Sequence, residues 1–445
     1  MAPEQPERLH GCKKRRSTLS TLSVVAIATT FFGAAAAISL ALASLPLIFP
    51  RGRSSPALLA SFLRWSGAQL VRSAYTSNLP GAARLWEMAD RWEAGAWSHW
   101  ESRRGAASST TREGAGADEE GCQPVPVVEV NGTCLPALGS DFLARPLLLR
   151  GLWSAEDLAR PDRRLSLEGL ASHPDLVALP VPYYADASEF GYSALSPGGV
   201  APLGEVVRNV TVRGGRQKLG TQVPVASHPD LIKEVSPPGG VLTKLFGDRF
   251  RPRDVVGSGP RGVLPASTTV PVFLANSRTA PGGGGGGHLR TDLHCEPIGN
   301  VAVQLAGAKA WTLVPPSETA FLRPSVSRRG RAFFYSNLLP GEADSAALAR
   351  AGVDCYEVTT GPGDALWVPP WTWHRVDYRD PPLPAAAEAG AEDEEEGRGR
   401  ERGGGASLAA SLFHFRPMEF FRNNPLFAML VIPNLIKELM GRKTE

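Results

Sequence analysis

Several stretches in the second half of the chain are rich in β-branched and aromatic residues and bounded by Pro and Gly, which predicts strands there. The longest covers 291–316 and reads TDLHCEPIGNVAVQLAGAKAWTLVPP. A second ends at His374 and reads WVPPWTWH. A third, at 268–275, alternates between apolar and polar residues with the period of two that a strand shows. The pattern predicts a mainly β domain in this half of the chain.

Helical spacing is clearest towards the two ends of the chain. Apolar residues within 56–104 recur at helical intervals and predict a stem made of two helices, packed on the main domain. A helix lying on a membrane surface is the alternative, but the charges there are mixed rather than basic. The segment 418–440 predicts a C-terminal helical piece interrupted at Pro425 and Pro433.

An uncharged, largely apolar stretch at 17–50 predicts a transmembrane signal anchor. It is long enough to cross a bilayer and longer than the apolar part of a secretory signal. The denser basic cluster lies before it, so the positive-inside tendency puts 1–16 in the cytosol and the rest in the lumen of the endomembrane system. The resulting protein is a single-pass membrane protein. Cleavage after Ala43 is the alternative and would release a secreted or lumenal protein.

Length and composition describe an ordinary globular protein with accessory segments. The 445 residues suffice for one large domain, and the apolar content of 43% with 20% charged residues supplies a core. The net charge of +3 is too small to indicate nucleic-acid binding. The stem is expected at 51–121, with a small and acidic linker from 106 to 121. The segment 381–406 combines a Pro/Ala tract, acidic residues and Gly/Arg repeats, so we expect a disordered surface insertion.

Four cysteines follow the apolar stretch, and they are compatible with disulfides in an oxidising lumen. Cys122 and Cys134 are closest in sequence, so we predict that they are bonded to each other, the alternative being free thiols. The Asn-x-Thr sequences at Asn131 and Asn209 are N-glycosylation acceptors if the region is lumenal.

The strand at the start of 291–316 suggests a metal site. Because side chains alternate along a strand, His294 and Glu296 are expected on one face and Cys295 on the other. With His374 from a distant strand they form a 2-His-1-carboxylate set, which binds one side of Fe(II) and leaves positions open. Asp292 is the alternative carboxylate, and His288 is placed in a loop next to the site.

The surrounding motifs resemble a known family. GAKAW stands at 307–311 and GDALWVPPWTWH at 363–374. Together with the HCE sequence they resemble the JmjC/cupin-like (cupin 8) family of Fe(II)- and 2-oxoglutarate-dependent oxygenases, and within it the factor-inhibiting asparaginyl hydroxylase branch. The family's motifs are H-x-[DE], G-x-K-x-W and GD-x-L-x-VP-x-x-W-x-H. The resemblance spans about 122–425 and implies a double-stranded β-helix (jelly-roll) barrel with helices packed against it, leaving 426–445 as a C-terminal helical segment.

The resemblance also implies roles for individual residues. His294, Glu296 and His374 fall on the metal-ligand positions. Lys309 falls on the lysine that pairs with the distal carboxylate of 2-oxoglutarate, and Thr291 on a threonine that binds the same carboxylate.

Further residues and segments can be compared with the family. Asn300 matches an asparagine near the co-substrate, whereas Ser411 stands where the family often has asparagine. The segment 407–413 is similar to the last core strand, and 145–153 to the opening strand. Four tryptophans near the motifs are candidates for the wall of the cavity: Trp311, Trp367, Trp371 and Trp373.

The function implied by the resemblance is oxidation of a C–H bond with Fe(II) and 2-oxoglutarate, and a protein or peptide side chain is the preferred substrate. Two alternatives remain: a catalytically silent cupin-type binding module, and a membrane-tethered scaffold that uses the stem and the acidic insertion. The sequence leaves the oligomeric state undetermined.

Overall fold

The computed structural model describes most of the β domain and the helices around it. The described residues are 56–72, 82–111, 121–130, 144–183, 199–211, 218–224, 231–235, 269–276, 290–326, 333–339, 341–379, 405–414 and 424–439. Their helices are α1 (Pro56–Arg72), α2 (Ala82–Thr111), α3 (Ala155–Leu158), α4 (Leu167–Ser172), α5 (Pro174–Val177), α6 (Leu203–Thr211), α7 (Leu231–Val235), α8 (Ser345–Arg350) and α9 (Pro425–Leu439), with a 3-10 helix at Pro316–Leu322.

The strands are concentrated after residue 268, as the stretches rich in β-branched and aromatic residues predict. In chain order they are β1 (Gln123–Pro124), β2 (Val127–Glu129), β3 (Leu147–Arg150), β4 (Pro180–Tyr183), β5 (Gly199–Pro202), β6 (Lys218–Pro224), β7 (Thr269–Asn276), β8 (His294–Cys295), β9 (Gly299–Ala306), β10 (Ala308–Val314), β11 (Pro324–Val326), β12 (Phe334–Ser336), β13 (Tyr356–Thr360), β14 (Ala365–Val368), β15 (Trp373–Arg379) and β16 (Ala406–His414).

Most of these strands form two seven-stranded sheets. The first sheet has the order β1-β13-β10-β15-β8-β12-β11, and the second has the order β2-β3-β14-β9-β16-β7-β6. The chain passes from one sheet to the other between β8, β9 and β10, and again between β13, β14, β15 and β16. The mainly β fold with helices is therefore confirmed, and the alternation between sheets is consistent with the predicted jelly-roll barrel.

The inner faces of the two sheets meet in one apolar cluster, which we call the barrel interior. The first sheet contributes Trp311, Leu313, Val376 and Tyr378, which face Ala302 and its neighbours on the second sheet. In the first sheet Leu313 lies opposite His374 and Lys309 lies opposite Tyr378, so these residues share the inner face. The strand pairing therefore directs the candidate residues of β10 and β15 into the barrel interior.

Short helices cover the outer face of the second sheet. Buried residues of α4 to α6, such as Leu170 and Val206, pack against Val301 and Leu412. The first turns of α3 and α4 begin at serine caps: Ser154 Oγ accepts a hydrogen bond from the Asp157 N–H at 3.0 Å, and Ser166 Oγ accepts one from the Gly169 N–H at 2.9 Å.

The outer face of the first sheet packs against the stem, as predicted. We call this packing the stem cluster: Phe62, Trp65 and Trp100 of α1 and α2 and Phe427 of α9, against Cys295, Phe334, Trp371 and Trp373 of the sheet and its loop. The Phe334 and Phe427 rings stack with their centroids 3.8 Å apart. The stem therefore belongs to the same folded body as the barrel strands.

The predicted Cys122–Cys134 disulfide is wrong. Cys122 is bonded to Cys355, which lies 233 residues further along the chain. The cause is the parallel pairing of β1 with β13, in which Gln123 lies opposite Tyr356 and brings the two preceding cysteines together. Cys134 lies outside the described residues.

Several predicted boundaries also change. Helix α2 continues to Thr111, so the linker begins later than residue 106. Helix α9 starts at Pro425, where a proline is tolerated, but it is not interrupted at Pro433. Pro433 cannot donate the backbone hydrogen bond of a helical residue, and the burial of Phe427 and Leu430 in the stem cluster offsets this loss. The predicted insertion ends before 406, because β16 begins at Ala406.

Two predicted segments fall outside the described residues: the transmembrane anchor at 17–50, and most of the insertion, at 380–404. None of the helices in the described ranges has the length and apolar character needed to span a membrane.

Candidate functional site

Two histidines face each other at one position of the first sheet. His294 on β8 lies directly opposite His374 on β15, and the centroids of the two imidazole rings are 4.2 Å apart. Both residues are buried, with 3% and 6% of their surface exposed. The structure therefore brings together the two imidazoles that the sequence analysis pairs, although they are 80 residues apart in the chain.

The hydrogen bonds of both rings define which nitrogen carries the proton. His294 Nδ1 lies 2.8 Å from the Asp292 carbonyl oxygen, and His374 Nδ1 lies 3.1 Å from the Thr372 carbonyl oxygen. A carbonyl oxygen only accepts hydrogen bonds, so each Nδ1 is the donor and the lone pair of each ring is on Nε2. Metal-binding histidines typically have this arrangement, since the backbone bond fixes both the tautomer and the ring orientation.

The ionisation of His374 also suits a ligand. Burial lowers the pKa of its imidazole to about 4, and the hydrogen bond to Thr372 offsets only part of that effect. The ring is therefore neutral near pH 7, as metal coordination requires.

Cys295, the residue after His294, points to the opposite face of the sheet, as strand alternation predicts. Cys295 is completely buried on the outer face of the sheet, in the stem cluster. Burial, and secondarily the Glu296 carboxylate, raise the pKa of its thiol well above the usual value. Glu296 itself is half-buried, and its backbone carbonyl accepts a hydrogen bond from the Trp371 N–H at 2.8 Å.

The structure brings the histidines together but does not show a complete ligand set. Within the described ranges, no group of three or more His, Cys, Asp or Glu side chains is arranged to hold a metal ion. Asp292, the alternative carboxylate, contributes its backbone carbonyl to the orientation of His294. His288 lies outside the described residues.

Lys309 is buried in the barrel interior, with 2% of its surface exposed. Its ammonium nitrogen lies 5.1 Å from the ring centroid of Tyr378, 5.2 Å from that of Phe273 and 6.0 Å from that of Trp311. Phe273 belongs to the second sheet, so the ammonium extends across the space between the sheets. Such aromatic faces attract the cation, and burial raises the pKa of the Tyr378 hydroxyl.

Among the described residues, two buried side-chain atoms on the second sheet lack a hydrogen-bond partner. They are Asn300 Oδ1 on β9 and Ser411 Oγ on β16, in side chains with 5% and 1% of their surface exposed. Ser411 lies opposite Ala302, which faces the barrel interior, and Asn300 lies two residues before Ala302 on the same face. Buried polar atoms nearly always have a partner, so this pair indicates a bound polar molecule or water in the barrel interior.

Thr291 lies beside β15, and its hydroxyl already makes one hydrogen bond. Its hydroxyl accepts a hydrogen bond from the Val376 N–H at 2.9 Å, and its own N–H donates to the Val376 carbonyl at 2.8 Å. The hydroxyl proton is not used by that bond, so Thr291 retains a donor for a further acceptor.

Only one of the four candidate tryptophans faces the barrel interior. Trp311 lies there, and its indole N–H donates to Thr360 Oγ1 at 3.1 Å. Trp367 packs under the helices of the second sheet, and Trp371 and Trp373 belong to the stem cluster.

Sequence reasoning missed three aromatic residues of the site. Phe333 packs edge-on against His294 with ring centroids 5.8 Å apart, and Phe273 and Tyr378 surround the Lys309 ammonium. Alternation from His374 would have placed Tyr378 on the inner face, because it lies four residues further along the same strand. No local pattern identified Phe273 or Phe333.

Comparison with known proteins supports a cupin-like domain in this region. Residues 284–388 match the family described as Cupin-like domain. The chain is 36% identical over 95 residues to the HSPB1-associated protein 1 homolog of Danio rerio, covering 20% of this chain and 21% of that protein. It is 32% identical over 93 residues to the HSPB1-associated protein 1 of Homo sapiens, covering 20% and 19% of the two chains. The matches therefore span about a fifth of these relatives.

Proposed function

We propose that this protein is an Fe(II)- and 2-oxoglutarate-dependent oxygenase that hydroxylates a side chain of another protein. The observation that carries the proposal is the pair of opposed, buried imidazoles, each held by a backbone carbonyl at Nδ1. The cupin-like match covers both histidines and supports the same assignment.

The metal would be held by His294 and His374 through Nε2, with Glu296 as the carboxylate ligand. Imidazole nitrogens are suitable ligands for a divalent first-row metal. Glu296 follows His294 by two residues and lies just after the end of β8, so continued strand alternation would place it on the same face as His294. When bound, iron with 2-oxoglutarate supplies the oxidising chemistry, and the protein positions the two reactants and excludes water.

The co-substrate would occupy the barrel interior. Lys309 supplies a buried cation for its distal carboxylate, and the Thr291 hydroxyl supplies a donor. Asn300 Oδ1 and Ser411 Oγ, which have no hydrogen-bond partner in the part of the chain that the structure describes, fit a polar molecule in this space. Ser411 can donate its hydroxyl proton, whereas the Asn300 oxygen only accepts, so the pair suits a carboxylate accompanied by water.

We favour a protein as the substrate for two reasons. The motifs resemble those of protein hydroxylases, and the two relatives are named for an association with HSPB1. We propose that a protein partner of this kind presents the side chain to be oxidised.

The test uses the purified full chain and measures Fe(II) retention together with conversion of 2-oxoglutarate to succinate. We expect both activities in the wild type. Glu296→Ala should lower both by more than about 100-fold, because a ligand contributes more than the 10–100-fold that outer contacts of a metal site supply. Asp292→Ala is the matched control, since it removes the other carboxylate next to His294, to which the proposal assigns no metal contact, and it should retain both.

Three outcomes would redirect the proposal. Iron retention without succinate formation favours a catalytically silent binding module. Loss of iron with Asp292→Ala but not with Glu296→Ala means that Asp292 is the ligand. Binding of a partner that survives alanine replacement of both histidines, without iron retention, favours a scaffold.

We further propose that the domain resides in the secretory lumen, anchored by 17–50. The Cys122–Cys355 disulfide supports an oxidising compartment, and Asn209 is exposed on α6 as a glycan acceptor should be. We expect N-glycosidase to shift the mobility of the protein made in cells, and non-reducing peptide mapping to recover the cross-linked cysteine pair. An unshifted protein with both cysteines free would exclude this compartment.

A further inference from the structure

The loop between β14 and β15 touches both arms of the candidate metal site through the backbone around Trp371. The Trp371 N–H donates to the Glu296 carbonyl at 2.8 Å. The carbonyl of the next residue, Thr372, lies 3.1 Å from His374 Nδ1 and orients that ring. The backbone of this loop therefore bears on two of the three candidate ligands, one on each strand.

The backbone of Trp371 is held in a conformation that a bulky residue seldom adopts. Its φ is +64°, and Arg323 is the other residue with a side chain in the described ranges that has a positive φ. An L-residue with a side chain is strained in this region, so surrounding contacts must stabilise it there.

The ring of Trp371 supplies such contacts. Trp371 is 1% exposed, and its ring packs edge-on against Phe427 of α9, with centroids 5.4 Å apart, and against Phe334 of β12, with centroids 6.4 Å apart. Edge-to-face packing is a preferred geometry of aromatic pairs. A helix on the outer face of the first sheet therefore helps to hold the loop that orients the ligands.

The position of Phe427 is in turn fixed by the start of α9. Asn424 Oδ1 accepts a hydrogen bond from the Phe427 N–H at 3.1 Å, and the Asn424 carbonyl accepts one from the Ala428 N–H at 2.9 Å. Asparagine is a favoured residue at the N-terminal cap of a helix. Direct contacts therefore run from the capped first turn of α9 through two aromatic rings to the backbone beside Glu296 and His374.

We propose that Trp371 is a positioning residue of the metal site and that it couples the packing of α9 to the geometry of Glu296 and His374. The proposal rests on the proposed function, because it takes these two residues and His294 as the metal ligands. Coupling is reciprocal, so a metal bound in the barrel interior also stabilises the packing of α9. A tryptophan that only filled space would stabilise the domain without changing the metal affinity.

The first experiment measures the affinity of the purified full chain for Co(II) by visible absorption. Trp371→Gly removes the ring but readily adopts a positive φ, whereas Trp371→Phe keeps a ring. We expect Trp371→Gly to weaken Co(II) binding by about 10–100-fold, as the loss of an outer contact of a metal site does. Trp371→Phe should rescue most of the affinity and remain within about 3-fold of the wild type.

The second experiment changes α9 and leaves the loop intact. Phe427→Leu should weaken Co(II) binding by about 3–10-fold, because it removes the aromatic pair with Trp371. Trp100→Leu is the matched control: Trp100 is 1% exposed and belongs to the same stem cluster, but it lies on α2. It should lower the thermal midpoint and leave the Co(II) affinity unchanged. Thermal unfolding also checks that each variant is folded.

The third experiment needs no metal. NMR of the chain labelled with ¹⁵N-histidine identifies which ring nitrogen of His374 carries the proton, and His374→Gln assigns the signal. We expect the Nδ1–H form in the wild type, because the Thr372 carbonyl accepts that proton. Trp371→Gly should give a mixture of the two forms, since the carbonyl is no longer held in place.

The outcomes separate the coupling from the metal site itself. If the wild type binds Co(II) and both Trp371→Gly and Phe427→Leu bind it equally well, the coupling is overturned and the metal site stands. An equal loss in Trp100→Leu would overturn it too, because affinity would then follow stability in general. A wild type that binds no Co(II) overturns the metal site and the coupling together. An unchanged His374 proton position in Trp371→Gly overturns the positioning role, and Phe427→Leu carries the affinity test if Trp371→Gly does not fold.

Discussion

The two faces of strands β8 and β15 differ in what their side chains contact. On the inner face, His294 and His374 lie beside the polar residues of the barrel interior. On the outer face, Cys295 and Trp373 are buried among the aromatic rings of the stem cluster. The same two short strands therefore contribute to a candidate chemical site on one side and to a close-packed core on the other.

Polar atoms are buried on both faces. In the stem cluster, Trp373 Nε1 donates to Thr319 Oγ1 at 2.8 Å and Trp65 Nε1 donates to the Pro324 carbonyl at 2.8 Å. Trp97 Nε1, which packs against the stem cluster, has no hydrogen-bond partner among the described residues, and the same is true of Asn300 Oδ1 and Ser411 Oγ in the barrel interior. The two faces therefore differ in which side chains they bury rather than in whether every polar atom has a partner.

A strained residue connects the two faces. Trp371 has a φ of +64°, a left-handed conformation that is unusual for a bulky residue. Its ring packs in the stem cluster, 5.4 Å from the Phe427 ring centroid. The next residue, Thr372, offers the carbonyl that orients His374. The stem packing therefore stabilises the backbone conformation on which the histidine depends.

The largest expected effect comes from breaking the stem cluster. Trp65 is completely buried and contacts the rings of Phe62, Trp100, Phe334 and Phe427. Trp65→Ala should lower the free energy of unfolding by about 3–5 kcal/mol, the usual cost of removing a large buried aromatic side chain. Denaturant unfolding of the full chain measures the change.

The matched control is Trp92→Ala in the same stem. Trp92 is 39% exposed, so its removal should change the free energy of unfolding by less than about 1.5 kcal/mol. If Trp65→Ala lowers the free energy of unfolding by no more than Trp92→Ala does, the stem is not part of the folded body that supports strands β8 and β15.

Local patterns predicted the parts of the site that depend on a single strand. Alternation separated His294 from Cys295, and the structure confirms their opposite burial environments. The motif ending at His374 located the partner strand, since its spacing resembles that of a known family. The β7 strand and the stem helices were likewise readable from the period of their apolar residues.

Features that depend on pairing between distant segments were not predictable. The Cys122–Cys355 bond follows from the parallel contact of β1 with β13, and sequence proximity pointed to Cys134 instead. Phe273 reaches Lys309 only because β7 belongs to the opposite sheet. The periodicity of a single segment predicts neither arrangement, because strand register and sheet order are set by the packing of the whole domain.

The smallest expected effect comes from two serines on one strand. The comparison of these serines is also the most direct test of the inner face. Ser407 and Ser411 both lie on β16, with 0% and 1% of their surface exposed. Ser407 Oγ accepts a hydrogen bond from Gln304 Nε2 at 2.9 Å, whereas Ser411 Oγ has no hydrogen-bond partner within the described ranges. Removal of a hydroxyl without a partner loses no hydrogen bond and relieves the cost of burying a polar group.

Ser407→Ala should therefore lower the free energy of unfolding by about 1 kcal/mol, while Ser411→Ala should leave it unchanged or raise it by up to about 1 kcal/mol. If the Ser411 hydroxyl serves the proposed co-substrate, Ser411→Ala should also weaken 2-oxoglutarate binding by about 3–10-fold, the value of one hydrogen bond, and Ser407→Ala should not. Denaturant unfolding and a ligand-dependent shift of the thermal midpoint measure the two quantities. Equal destabilisation by both variants would show that Ser411 has a structural partner, and an unchanged ligand shift in Ser411→Ala would remove that residue from the binding site.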